Sequence, residues 1–270
     1  MAQKTLYVTD LDGTLLTKNA EVTPYTVDVI NRLYEKGILF TYATARAYTS
    51  ASAIMSRNTP NVPAVVYNGT FIVDAVTGDR LSVKSMTKDE SDYVLKVFAD
   101  HGVSPIAYSI IDGVEKYSYC YDALPEATKR FLDARKGDAR ENPTTPDLLG
   151  VGDVFHFTSL CDGAVLSEIK KIIEGELPTE LFMDPYFHEM FLEIHPKGAT
   201  KAEGILELKK MLGCDRVVCF GDGRNDIPMF RIADECYAVE NAVPELKEIA
   251  TAVIGDNEHD GVAKWLENLL

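Results

Sequence analysis

The chain has 270 residues, 46% of them hydrophobic and 26% charged, with a formal net charge of −15. That length and composition suit one large globular domain or two smaller ones. The acidic balance argues against a nucleic-acid partner, which usually shows as a basic face. No apolar run approaches the roughly 20 residues that a membrane span needs. Met1-Ala2-Gln3-Lys4 leads straight into a strand-like segment with no apolar leader, so a cytoplasmic location is expected. Cys120, Cys161, Cys214, Cys219 and Cys236 include no Cys-x-x-Cys pair and read as reduced, buried thiols. His188-Glu189 lacks a second histidine at zinc-protease spacing and receives no metal role.

The elements begin with a strand over Thr5–Thr9. A helix runs from Pro24 to Lys36: Thr23 can cap it, Pro24 suits its first turn, Val27, Ile30, Leu33 and Tyr34 form an apolar stripe, and Gly37 stops it. A strand over Ile38–Tyr42, a helix from about Ala47 to Ser56 and a short strand over Ala64–Tyr67 follow. This βαβαβ rhythm, with continuously apolar strands, implies a parallel sheet covered on both faces.

From about Lys84 to Met190 the pattern changes. Helices over Asp89–Asp100 and Ala164–Ile173 alternate with strand pairs, and Pro105–Ile111 and Glu115–Tyr121 flank the hairpin signal Asp112-Gly113. Val154–Leu160 and Phe191–His195 read as further strands. The last seventy or so residues return to the alternating rhythm: a helix over Lys201–Leu212 ending at Gly213, a strand over Arg216–Phe220, then short elements over Ile227–Ile232, Tyr237–Val239, Pro244–Ala250, Ala252–Ile254 and Val262–Leu269. The expected organisation is an α/β core, a Rossmann-like doubly wound parallel sheet, formed by residues 1–83 and 191–270, with an α+β domain inserted at 84–190.

Open parallel sheets bind ligands beyond the carboxyl ends of their strands. After the first strand come Asp10 and Asp12, and after the second comes Ala43-Thr44-Ala45-Arg46. After Arg216–Phe220 comes Gly221-Asp222-Gly223-Arg224-Asn225-Asp226. Just before that last strand and its helix, Thr200 and Glu203 make a capping box that puts Lys201 at the first helical position. Asp10 and Asp222 together form a hard oxygen site for Mg²⁺, an ion that uses few protein ligands and leaves room for a phosphate. Such a cation offsets the repulsion between neighbouring carboxylates. Thr44 and the amides at the following helix start suit phosphate oxygens, and Lys201 adds positive charge. A carboxylate such as Asp10 can attack phosphorus, and Asp12 is the natural second carboxyl to carry the proton, with Gly13 turning the chain away after them so that both side chains stay near one point. Lys197 competes with Lys201 for the cationic role; the capping box favours Lys201.

Asp10-Leu11-Asp12-Gly13-Thr14 resembles the first signature of the haloacid dehalogenase superfamily. Thr44, Lys201 and Gly221-Asp222-Gly223-Arg224-Asn225-Asp226 match its second, third and fourth, in order. The long insert resembles the type 2 cap of the Cof-like subfamily (IIB), and Asn68-Gly69 and Asp260-Gly261-Val262-Ala263 also resemble Cof-type sequences. The resemblance implies roles by position. Asp10 is then nucleophile and Mg²⁺ ligand, Asp12 the acid/base with its backbone carbonyl on the metal, and Asp222 the third protein ligand. Leu11 and Ala45 give backbone phosphate contacts, joined by Thr44, Lys201 and Asn225, and Asp226 supports the metal from behind. Ala45 departs from the glycine of many relatives but keeps its amide.

The implied activity is a Mg²⁺-dependent phosphatase on a small phosphomonoester, such as a sugar phosphate. The alternatives are a phosphomutase or phosphotransferase with the same nucleophile, and a phosphate-ligand sensor without turnover. A P-type ATPase role is disfavoured because such pumps carry lysine and threonine where Leu11 and Asp12 stand. Dehalogenation needs no proton donor like Asp12. The partner is a small phosphorylated metabolite, with no nucleic acid or membrane and a monomer as the default. The insert is expected to close over the site and to choose the substrate, with Asp184 to His188 and Tyr117 to Tyr121 offering aromatic and polar groups.

Overall fold

A computed structural model describes residues 3–183 and 187–270. Strand β1 (Thr5–Thr9) buries Leu6 and Val8 and stops at Asp10. Helix α1 (Pro24–Glu35) starts on Thr23, whose hydroxyl accepts from the Thr26 amide. Strand β2 (Leu39–Tyr42), helix α2 (Tyr48–Ile54) and strand β3 (Ala64–Val66) continue the rhythm. Two strands that carry no strong sequence signal, β4 (Phe71–Val73) and β5 (Arg80–Val83), complete this stretch.

The chain then enters a second unit, Lys84–Lys197. Its elements are α3 (Lys88–Asp100), β6 (Ile106–Ile111), β7 (Val114–Tyr119), α4 (Glu126–Asp133), β8 (Glu141–Pro143), β9 (Asp153–Cys161), α5 (Gly163–Ile173), β10 (Thr179–Met183) and β11 (Met190–Ile194). The first unit resumes at Gly198 with α6 (Lys201–Leu212), β12 (Arg216–Gly221), α7 (Ile227–Ile232), β13 (Glu235–Val239), α8 (Pro244–Ile249), β14 (Ala252–Ile254) and α9 (Gly261–Glu267).

In the first unit five strands form one parallel sheet in the order β14-β13-β12-β1-β2. From β1 the chain adds β2 on one side and later returns to add β12 on the other. The strand order therefore reverses between β1 and β12, where such sheets bind ligands. Thr9 pairs with Phe220, so Asp10 and the Gly221-Asp222 turn leave neighbouring strands side by side. The third apolar segment does not join this sheet as a full strand. β3 touches it through one bridge, Ala43 to Val65, and pairs instead with β4 in an antiparallel sheet β3-β4-β5. Pro63 stands at the point where further pairing would need a backbone donor; the Thr41 hydroxyl bonds its carbonyl instead.

Within the second unit a six-stranded sheet runs β10-β11-β9-β6-β7-β8. Asp112 and Gly113, both at positive φ (50° and 81°), make the β6–β7 hairpin turn. Helices α3 and α5 pack on Ala107, Val154, Phe157, Leu192 and Ile194, while α4 packs on the other face against Ile106, Tyr117, Tyr119 and Phe191. Strand β11 lies inside this sheet, paired with both β10 and β9. The core therefore resumes at Gly198 and not at the expected residue 191: the partners of this apolar strand are distant in sequence, so its own residues do not say which sheet it joins. Tyr117 and Tyr119 are core of this unit and Tyr121 is exposed; of the stretch Asp184 to His188, residues 184–186 lie outside the described residues. No helix among the described residues is long and apolar enough to cross a membrane.

Candidate active site

Asp10 follows β1 directly, its amide donating to the Phe220 carbonyl at 2.9 Å. Its side chain is buried, and Lys201 Nζ donates to its Oδ1 at 2.6 Å. Lys201, only 1% exposed, donates equally to Asp226 Oδ1 at 2.7 Å. Thr200 caps the helix by accepting from the Glu203 amide, which sets Lys201 on the first turn. Lys197 belongs to the second unit, is exposed, and faces Glu90 and Glu176. The structure thus gives the buried cationic position to Lys201.

Asp226 uses both oxygens. Oδ1 takes Lys201, and Oδ2 accepts the amides of Asp222 and Gly223, each at 2.9 Å. It fixes the turn that carries Asp222. Thr14 Oγ1 donates to Asp222 Oδ1 at 2.7 Å, and a Cβ on Gly13 would lie 2.4 Å from Asp222 Oδ2. Gly13 also sits at φ 74°, so glycine is required there both by the backbone and by the neighbour. Asn241 Nδ2 bonds the Gly13 carbonyl at 2.7 Å, holding the same turn from β13's loop.

Asp10, Asp222 and Asp226 each offer an oxygen within 4.8 Å of the others. Burial pushes the Asp10 carboxyl well above the usual carboxylate range; Lys201 opposes this, and the charges of Asp226 and Asp222 add to it. Burial pushes Asp222 to about 6, against the hydrogen bond from Thr14 and with the Asp226 charge. Burial works to lower Lys201, yet Asp10 and Asp226 hold its ammonium above the ordinary lysine value. Three carboxylates around one ammonium leave an excess of negative charge in a water-poor place, and an all-oxygen donor set of this kind fits a hard divalent cation.

The other sequence-derived residues are distributed around this centre. Leu11 is buried, and Ala45 is exposed at the start of the α2 loop. Thr44 is fully buried, and its Oγ1 accepts from the Arg46 amide at 3.1 Å. Asn225 Nδ2 faces Asn68 Oδ1 at 3.4 Å. Asp12 turns outward: its carboxylate is held by Arg46 through two bonds of 2.6 Å, from Nε and Nη2. Arg46 Nη1 also bonds Ser50. Sequence reasoning assigned no role to Arg46, Thr14 or Asn241. Arg46 stands in the strand-end run that follows Thr44, and that position beyond a strand end is its only sequence signal; Asp12 lies on a separate segment.

The sequence signature of the haloacid dehalogenase-like hydrolases matches residues 7–266. The chain belongs to that family. A 5-amino-6-(5-phospho-D-ribitylamino)uracil phosphatase of Bacillus subtilis is 28% identical over 284 aligned residues, covering 97% of this chain and 96% of the relative. A pyridoxal phosphate phosphatase of Escherichia coli is 24% identical, covering 95% of each chain. Among solved structures, a Thermotoga maritima protein superimposes with a TM-score of 0.81 at 24% identity, over 99% of this chain and 97% of that one. A haloacid dehalogenase subclass IIB sugar phosphatase gives 0.76 at 21% identity, over 98% of each. The haloacid dehalogenase fold, an α/β core with an inserted α+β unit, is common to them.

The Asp260-Gly261 pair has a structural reason within this family fold. Asp260 Oδ1 accepts the hydroxyls of Thr23 (2.5 Å) and Thr26 (2.8 Å), tying α9 to the start of α1. A Cβ on Gly261 would lie 1.8 Å from the Gly255 carbonyl oxygen.

Proposed function

We propose that the chain hydrolyses a small phosphomonoester through an aspartyl-phosphate on Asp10. The observation that carries this reading is the buried Asp10–Lys201–Asp226 set beside Asp222, at the point where the strand order reverses. A buried carboxylate of this kind is costly unless an ammonium or a cation faces it; Lys201 opposes the upward push of burial on Asp10, and a bound cation would add to that and favour the ionised nucleophile.

Asp10 attacks phosphorus, the bond to the leaving oxygen breaks, and Asp12 protonates that oxygen. Asp12 then takes a proton from water, which attacks phosphorus and restores Asp10 with release of orthophosphate. Arg46 holds Asp12 out of this cycle in the present arrangement, so Asp12 must exchange that pair for the leaving oxygen. Leu11 and Ala45 amides, the Thr44 hydroxyl, Lys201 and Asn225 bind the phosphoryl oxygens. Asp10, the Asp12 backbone carbonyl and Asp222 would hold Mg²⁺, whose charge screens the anionic nucleophile from the anionic substrate. The names of the relatives support a small phosphorylated metabolite, a sugar phosphate or similar, as the substrate class. Substrate choice is assigned to the inserted unit.

The test is hydrolysis of p-nitrophenyl phosphate with and without Mg²⁺, with the product identified. Orthophosphate release that is lost on chelation, and lost by at least ~10³-fold in Asp10→Asn with its fold intact, is the expected result. Transfer of the phosphoryl group to a second hydroxyl instead of water would turn the reading to a phosphotransferase, and full activity in Asp10→Asn would remove the covalent step.

A further inference from the structure

Tyr67 and Asn68 are consecutive residues at positive φ (49° and 52°), the one such non-glycine pair among the described residues. Asparagine tolerates that conformation better than most residues, but a bulky tyrosine does not, and strain such as that at Tyr67 persists where the surroundings impose it. The surroundings here are the phosphate-binding loops. The Asn68 amide donates to the Thr44 carbonyl at 2.9 Å, and the Tyr67 amide donates to the Arg46 carbonyl at 3.1 Å. Gly69 lies so close to the start of α6 that a Cβ there would sit 2.0 Å from the Thr200 carbonyl oxygen. A Cβ on Gly204, one turn along α6, would lie 3.3 Å from the Gly69 Cα.

The side chain shows the same bias. Asn68 is 5% exposed, and its Oδ1 receives Asn225 Nδ2 at 3.4 Å. Its own Nδ2 is buried with no acceptor among the described residues. A buried amide that leaves its donor unpaired is unfavourable. What the position retains in exchange is the Oδ1 contact to Asn225 and the backbone tie to Thr44.

We propose that Asn68 is a positioning residue for phosphoryl binding, setting the Asn225 amide through Oδ1 while its backbone fixes the Thr44 loop against the start of α6. The proposal rests on the phosphatase reading for the identity of the ligand. It does not need turnover, because orthophosphate binding reports it alone. Glycine at 68 keeps the backbone tie and accepts the positive φ, so Asn68→Gly removes the Oδ1 contact without breaking the fold.

The experiment compares wild type, Asn68→Gly, Asn225→Ala and the double variant, all in Mg²⁺, by thermal melting, by KM and kcat on p-nitrophenyl phosphate, and by orthophosphate affinity. Expected are an unchanged melting temperature for Asn68→Gly, a rise of about tenfold in KM and in the orthophosphate dissociation constant, and a smaller fall in kcat. The double variant should bind no worse than Asn225→Ala, since both substitutions remove one device. Additive losses in the double variant, or an Asn68→Gly protein within twofold of wild type in both constants, would overturn the proposal. If wild type binds orthophosphate without hydrolysing the ester, the phosphatase reading fails while the binding comparison still decides Asn68. If wild type binds no orthophosphate, both fail.

Discussion

In the first unit Lys201 stands between Asp10 and Asp226 where parallel strands end. In the second, His156 and His195 face Glu193 on an antiparallel sheet, with Nε2–oxygen distances of 3.8 and 3.4 Å and the rings 4.8 Å apart. Both clusters bury ionisable groups, but they resolve the cost differently. The strand-end cluster draws on backbone donors: two amides converge on Asp226, and the helix start brings in the ammonium. The mid-sheet cluster cannot, because its backbone groups are spent on the ladder. Burial, with His195 beside it and against the pull of Glu193, drives His156 down to about 3, so its ring stays neutral. At the strand ends, free amides and a helix-start ammonium face the buried carboxyls, although burial still raises Asp10; in the sheet, His156 stays neutral while, against burial, the His195 hydrogen bond and the neighbouring rings hold the Glu193 carboxyl below its usual range.

The comparison breaks most visibly at Lys201. Lys201→Met strands two buried carboxylates, so urea denaturation of the metal-free protein at neutral pH should show a loss of about 3–5 kcal/mol. Turnover should fall roughly 10²–10³-fold in the same variant. A stability loss under about 1 kcal/mol would mean that the ammonium does not hold the cluster together.

Arg46 sharpens the contrast within the first unit, because its pair with Asp12 is partly exposed (side chains 23% and 53%). Arg46→Ala should therefore cost at most about 1 kcal/mol of stability. If Arg46 sets the position of the acid/base, kcat should fall by roughly 10–10²-fold with a changed pH profile. Equal, proportionate losses of stability and rate would make Arg46 a purely structural clamp.

The effect in the second unit is absent at neutral pH and appears only as pH falls. An unfolded histidine titrates near 6.5, whereas folded His156 does so near 3. Between those values the unfolded chain binds one more proton, so stability falls as pH falls below about 6.5, by up to ~1.4 kcal/mol per unit from this group. His156→Gln should flatten the fall in melting temperature between pH 7 and 5 relative to wild type. Parallel melting curves for the two proteins would show that the ring protonates in the folded state.

Much of the first unit is legible from local signals. Thr5–Thr9 is a strand because a short apolar run ends in turn chemistry, and Lys201–Leu212 is bounded by a capping threonine and by Gly213 in the left-handed conformation. Asp10, Asp222 and Lys201 stand out for the same reason: each is polar at the terminus of an apolar element. β4, β5, α4, β8 and β10 were not legible, being short, half-exposed or dependent on partners for their pairing. The placement of the strand read over Phe191–His195 in the core has the same origin, since nothing in its own residues distinguishes a strand of one sheet from a strand of the other.

By itself, then, the sequence determined the strand ends and helix starts, and with them which carboxylates and which lysine are available for chemistry, because capping, periodicity and desolvation act within a few residues. The tertiary structure decided which partner each one takes. Asp12 goes to Arg46, Asp226 to the amides of its own turn and to Lys201, Asn225 to Asn68, and His156 comes beside Glu193. Those choices depend on sheet register and on close packing between segments as far apart as Gly69 and Thr200, whose contact only the folded chain creates.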